Sequence, residues 1–170
     1  MLMADVLAVF FVVLGLLLAH VGVWLLCRGL WSGHVERASA QVSDNLVLTL
    51  LAGVVPVLGA LVFGIVLSQV AGGIGKAAAA LFASAFLLYA HAGLAGAVAE
   101  IGRTLGSRDE LPWRSIARGG VALTLAFVFP ILGWFVLLPL SIVLGAGASS
   151  IALVRGFVPR TIPSARAALS

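Results

Sequence analysis

The longest uninterrupted apolar stretch occupies residues 119–154, 36 positions without a charge. As one helix it would be about 54 Å long, against a hydrocarbon core of about 30 Å. It therefore crosses a membrane twice or folds back. The break is written at Phe129-Pro130-Ile131-Leu132-Gly133: Pro130 removes a backbone donor and clashes with the preceding turn, and Gly133 permits the reversal. Trp134 suits the interface, and Pro139 then falls near the start of the returning helix, where a missing donor matters least. Three more apolar runs predict helices over about residues 4–27, 45–70 and 76–102, the second carrying Pro56 as a kink. Between them lie a polar segment at 28–45, a Gly-rich turn at 71–76 and a charged stretch at 103–118. In the last, Ser107 and Glu110 have capping-box spacing and Pro112 suits the first turn of a helix.

With 62% hydrophobic and 9% charged residues there is too little polar surface to coat a soluble globule. In lipid every backbone polar group must be satisfied internally, which leaves helices or closed barrels, and the long apolar runs without alternation select helices. The expected fold is all-α: a polytopic membrane bundle of about five inserted helices with a Pro/Gly-broken C-terminal hairpin. Residues 1–155 form one transmembrane domain and 156–170 a mobile cytoplasmic tail.

The net charge of +4 reads as topology and not as a nucleic-acid footprint. If residues 119–154 cross twice, Arg28, Arg37, Arg103, Arg108, Arg114, Arg118, Arg155, Arg160 and Arg166 share one side, against Lys76 alone on the other. That places the N-terminus outside and the C-terminus in the cytoplasm. The first apolar run has no basic residue before it and is longer than a signal core, so it reads as a retained helix. The single Cys27 leaves no internal disulfide or multi-cysteine metal site. The Gly72–Lys76 stretch lacks phosphate-loop spacing.

Ala8, Gly15, Gly22 and Gly29 recur every seven residues, with Ala19 on the same face. Such a stripe lets helices approach closely. Packing inside the chain's own bundle is the expectation, and a dimer face the alternative. Two tetrapeptides, Pro56-Val57-Leu58-Gly59 and Pro130-Ile131-Leu132-Gly133, lie 74 residues apart and suggest a parallel duplication.

Ionisable groups inside a membrane are functional hypotheses by default. His20 and His91 fall at similar depths, about 12 and 16 Å from the cytoplasmic ends of their helices, and can meet. Each is expected to bond a neighbouring carbonyl, a hydroxyl or Tyr89. The alternative is a haem or metal held between them, for which Ser84 and Tyr89 are the evident supporting acceptors. His34 reads as a solvated loop residue, and Glu100 as a local partner of Arg103. No catalytic triad, zinc motif or intramembrane carboxylate pair is present, so the expectation is no enzyme, no catalytic residue, no metal and no cofactor. The expected partners are the lipid bilayer and other membrane proteins or further copies of the chain.

Three stretches, PILGWFVLLPLSIVLGAGAS, HAGLAGAVAEIGRTLG and PWRSIARGG, resemble the helical membrane domain found alone or attached to bactofilin-like, polymer-forming bacterial proteins. The resemblance spans about residues 10–155. It implies a bacterial inner-membrane anchor or scaffold with no catalytic residues to carry over. The chain departs from the fused members in lacking a β-helical polymer domain. A non-catalytic anchor or assembly subunit is thus the first expectation. A small transporter or channel with Pro56 and Pro130 lining its site, served by Thr49, Ser68, Gln69, Thr124 and Ser141, is the second. A bis-histidine haem protein is the third.

Overall fold

The computed structural model describes residues 2–70, 72–106 and 111–157. Six helices follow one another: α1 (Leu2–Leu30), α2 (Ser32–Asp44), α3 (Leu46–Gln69), α4 (Gly72–Thr104), α5 (Pro112–Val128) and α6 (Pro130–Phe157). Four of them, α1, α3, α4 and α6, are long and apolar enough to cross a membrane. With the shorter α5 they make a bundle of five long helices, as the apolar runs require. The protein is membrane-embedded. Ser107 and Glu110, and the tail from residue 158 with Arg160 and Arg166, lie outside the described residues.

Helix directions follow from which residues touch. Trp24 meets Gly120 and His20 nears Phe127, so α1 and α5 are antiparallel. Gly102 abuts Ser115 and Gly119 abuts Val98, so α4 and α5 are antiparallel. Gly145 abuts Ala90 while Gly93 abuts Ser149, so α4 and α6 run together. Thr49 meets Gly147 and Gly53 meets Val143, which sets α3 against α6. One end of the bundle therefore holds α2. The other holds the α3–α4 turn and the α5–α6 turn.

The central helix is α4. Residues 92–99 are buried on every face, which only a run of Ala, Gly, Leu and Val can tolerate with neighbours all round. At Gly93, Gly102, Gly119, Gly145 and Gly147 an added Cβ would strike the backbone of the facing helix. Small residues that let backbones approach are the main adhesive between helices in lipid, where apolar area alone drives little.

Several local expectations change. The polar segment 28–45 is not a loop: it forms α2, whose Val35, Ala38, Ser39 and Gln41 are buried against the bundle. The Gly-rich stretch 72–76 is the first turn of α4, entered through Gly72 at φ 69°, a left-handed conformation that suits glycine. The reversal at the C-terminal hairpin is made by Phe129 (φ −70°, ψ 113°), the extended conformation favoured before proline. Pro130 is the first residue of α6, so it starts a helix instead of breaking one. Gly133 is right-handed helical; its smallness matters, because a Cβ there would lie 2.5 Å from the Phe127 carbonyl oxygen. The returning helix starts nine residues before Pro139. One π turn over Gly133–Leu137, closed by Leu138 N–H to Gly133 O, accommodates Pro139 within α6. Pro56 lies inside an unbroken α3, and Asn45 caps that helix by accepting from Leu48 N–H at 2.9 Å.

Candidate functional site

Three places concentrate polar groups, space or unused packing surface. The first is the α2 end. Ser149 Oγ donates to the Tyr89 carbonyl at 2.7 Å, so its oxygen accepts from His34 Nε2–H at 3.2 Å. His34 is thus half-buried in the α2–α6 seam and not a solvated loop residue. Its burial, and then the Arg37 charge, hold its pKa below the ordinary 6.5. Arg37 Nε donates to the Ala152 carbonyl at 3.1 Å. Arg103 bridges Glu100 (3.1 Å), its expected partner, and Ser39 (2.7 Å). Gln41 Nε2 donates to Thr49 Oγ1 at 3.3 Å, which itself donates to the Asn45 carbonyl at 2.8 Å. Arg28 pairs with Glu36 at 2.8 Å, and Arg155 with Asp44 at 3.7 Å. These partners fasten α2 across the mouth of the bundle as a polar lid.

The second place is the histidine pair. His20 on α1 and His91 on α4 come together as their depths suggest, with ring centroids 6.2 Å apart and planes inclined at 36°. Neither uses Tyr89, whose hydroxyl pairs with Ser150 at 2.7 Å, or Ser84, which bonds the Ala80 carbonyl at 2.9 Å. Each bonds a carbonyl one turn back on its own helix: His20 Nδ1 to Leu16 O (2.9 Å) and His91 Nδ1 to Leu87 O (2.8 Å). A carbonyl only accepts, so both Nδ1 atoms carry a proton, and in the neutral imidazoles both Nε2 atoms keep a lone pair. The pair borders a cavity of about 390 Å³ lined also by Ala19, Val23, Ser84, Leu87 and Leu88. Trp24 and Phe127 flank His20 at 5.7 and 6.3 Å. Among the described residues no three His, Cys, Asp or Glu side chains are grouped to hold a metal ion.

The third place is the bundle's other half. Below, glycines seal α3 and α4 to α6. Above, the helices part around a cavity of about 610 Å³, walled by Val57, Gly64, Phe82, Ala83, Phe86, Pro139 and Ile142. Pro139 lines it, but Pro56 and Pro130 do not. Of the five residues expected to give a transport site polarity, Ser68 alone reaches this cavity, and its hydroxyl is turned to the Ile65 carbonyl at 2.7 Å. Thr49 is tied to α2, and Thr124 is buried in α5 with no hydrogen-bond partner among the described residues.

The small-residue stripe of α1 takes no part in the bundle. The side of α1 turned inward carries His20, Trp24 and Cys27. At 100° per residue, Ala8, Gly15, Gly22 and Gly29 project from the opposite side. Among the described residues nothing lies within 4 Å of a Cβ added at Gly15, Gly22 or Gly29, which corrects the expectation of packing within the chain. Ala19, at the edge of the stripe, borders the histidine cavity.

No family model matches this chain, and neither curated proteins nor solved structures give a match.

Proposed function

We propose that the protein is a non-catalytic integral membrane subunit, an anchor or assembly component that associates through the small-residue face of α1. The observation that carries this reading is the orientation of that stripe, which points away from everything α1 packs against. Glycines facing lipid give a helix no benefit of their own, whereas a second helix gains close contact from them. The apolar character of the large cavity favours this reading over transport. The resemblance to the bactofilin-associated membrane domain points the same way, and with it to a bacterial inner membrane.

The proposed orientation has the N-terminus outside and the C-terminus in the cytoplasm. Its support is electrostatic: Arg28, Arg37, Arg103 and Arg155 gather around α2, while Lys76 lies near the start of α4 at the other end.

The test is oligomeric state. In a Cys27→Ser background, single cysteines at positions 15 and 22 should cross-link between copies in membranes. The double variant Gly15→Leu/Gly22→Leu should abolish the cross-linkable species at unchanged thermal stability. A protein that is monomeric in membranes, and whose native co-purifying proteins are the same with and without the leucines, would dismiss the assembly role of α1.

A further inference from the structure

We propose that His20 and His91 are the two axial ligands of an iron porphyrin bound in the seam between α1 and α4. This goes beyond the assembly reading and stands independently of it. The two histidines are 71 residues apart in sequence, lie at membrane depth on different helices, and approach with ring centroids 6.2 Å apart and planes inclined at 36°. Two metal–imidazole bonds of about 2.0 Å, plus about 1.1 Å from each nitrogen to its ring centre, give about 6.2 Å for a collinear axial pair.

The hydrogen bonds have the matching sense. A ligating histidine characteristically donates its other N–H to a carbonyl or carboxylate, which fixes the tautomer and aims the free nitrogen. Leu16 O and Leu87 O do this for the two rings, in the same way on both helices. Neither Nε2 has a hydrogen-bond partner among the described residues.

Charge and ligand number select the porphyrin over a bare ion. With no third histidine, cysteine or carboxylate at hand, a cation would have two neutral ligands and an uncompensated charge in a low dielectric. A porphyrin brings four ring nitrogens, which carry two negative charges between them, and a broad apolar face. The cavity beside the pair is almost wholly apolar, with Ala19 on one wall and Ser84 on the other leaving room for a flat group. Trp24 and Phe127 lie against His20, with ring centroids at 5.7 and 6.3 Å.

The experiment uses the full chain purified in detergent and titrated with hemin, read by the Soret and visible bands and by electron paramagnetic resonance. The expected result is saturation at one hemin per chain as a low-spin, six-coordinate species. His20→Ala and His91→Ala should each lose the low-spin signature, and His34→Ala, the remaining histidine, should keep it. Ala19→Phe retains both imidazoles and the exposed surface of α1 while filling the cavity, and should lower hemin affinity at least tenfold. Failure of hemin to saturate, a high-spin complex in the wild type, or low-spin binding that survives either histidine variant or Ala19→Phe would overturn the proposal.

Discussion

The seam between α3 and α6 offers a sharp test of how this bundle is held together. A Cβ at Gly147 would fall on the Thr49 carbonyl oxygen and 2.8 Å from Gly53 N; one at Gly53 would fall on the Val143 carbonyl oxygen and 3.0 Å from Gly147 N. The obstacles are helical backbone, not the far end of a flexible side chain, so the helices themselves must part by roughly 1 Å to restore close-packed contact. Such overpacking costs about 1–3 kcal/mol, with the upper half expected here because nothing local can yield. Against this, alanine in place of glycine gains up to about 1 kcal/mol of helix propensity. Gly147→Ala and Gly53→Ala should therefore each destabilise by about 1–2 kcal/mol.

Gly59, also on α3, has nothing within 4 Å of its added Cβ, so Gly59→Ala should be neutral or stabilising. The sign should thus reverse within six residues of one helix. The double variant adds a stricter condition: once one methyl has opened the seam, the second fits with little extra cost, so the pair should fall short of additivity by about 1 kcal/mol. Unfolding by SDS titration in mixed micelles, followed by circular dichroism, reads all four proteins. A neutral Gly147→Ala, or strict additivity with Gly53→Ala, would refute the claim that backbone contact at these glycines clamps the seam.

Other consequences are checked more simply. The lowered pKa of His34 means that the unfolded chain takes up its proton first as pH falls; stability should be full above about 6.5, decline below it, and level off once the folded-state pKa is passed. His34→Gln should flatten that decline in thermal melts between pH 8 and 5. Cysteines placed at positions 73 and 157, in a Cys27→Ser chain, should react with impermeant reagents from opposite sides of the membrane; reaction from one side would disprove the two-crossing arrangement of residues 119–154. Gly133→Leu should cost about 1–3 kcal/mol by pushing the α6 start off the end of α5, and an unaltered melting temperature would show that this contact is dispensable.

Much of the architecture is legible in the chain because lipid imposes a simple rule on length and polarity. The apolar runs locate α1, α3 and α4 to within a few residues at most ends, Pro112 starts α5 as its position suggests, and Glu100 finds Arg103. The depth estimate for His20 and His91 also brings them together. What stayed hidden was α2. Its sequence SGHVERASAQVSD is polar enough to read as a loop, and its buried positions include Ser39 and Gln41. The signal was present as Val35, Ala38, Ser39 and Val42, a helical face made of small residues. Small size was the relevant property, because α2 packs with Gly96 only 2.6 Å, at its would-be Cβ, from Ser39 N. The histidines find neighbouring carbonyls, one of the partners expected for them, whereas Ser84 and Tyr89, the supporting acceptors named for the haem alternative, bond elsewhere.

The two Pro-x-Leu-Gly tetrapeptides show why the repeat is misleading. Pro56-Val57-Leu58-Gly59 lies within a continuous α3, whereas Pro130-Ile131-Leu132-Gly133 opens α6 directly after a reversal. The difference comes from what surrounds each motif. A break at Pro56 would divide α3 into pieces of roughly 15–20 Å, too short to span, and expose freed backbone groups to lipid. Neighbouring α6 holds α3 through Gly53 just before the proline, so one missing hydrogen bond is tolerated. At Pro130, α5 has already run 17 residues from Pro112, roughly 25 Å, and a reversal there strands nothing in the hydrocarbon. If position within the span decides, exchanging the motifs should change neither element. Val57→Ile combined with Ile131→Val should leave helix content, melting temperature and the sidedness of position 157 as in the parent chain. A swap that moved position 157 to the other side would show that the tetrapeptide itself, and not its place in the membrane, directs the turn.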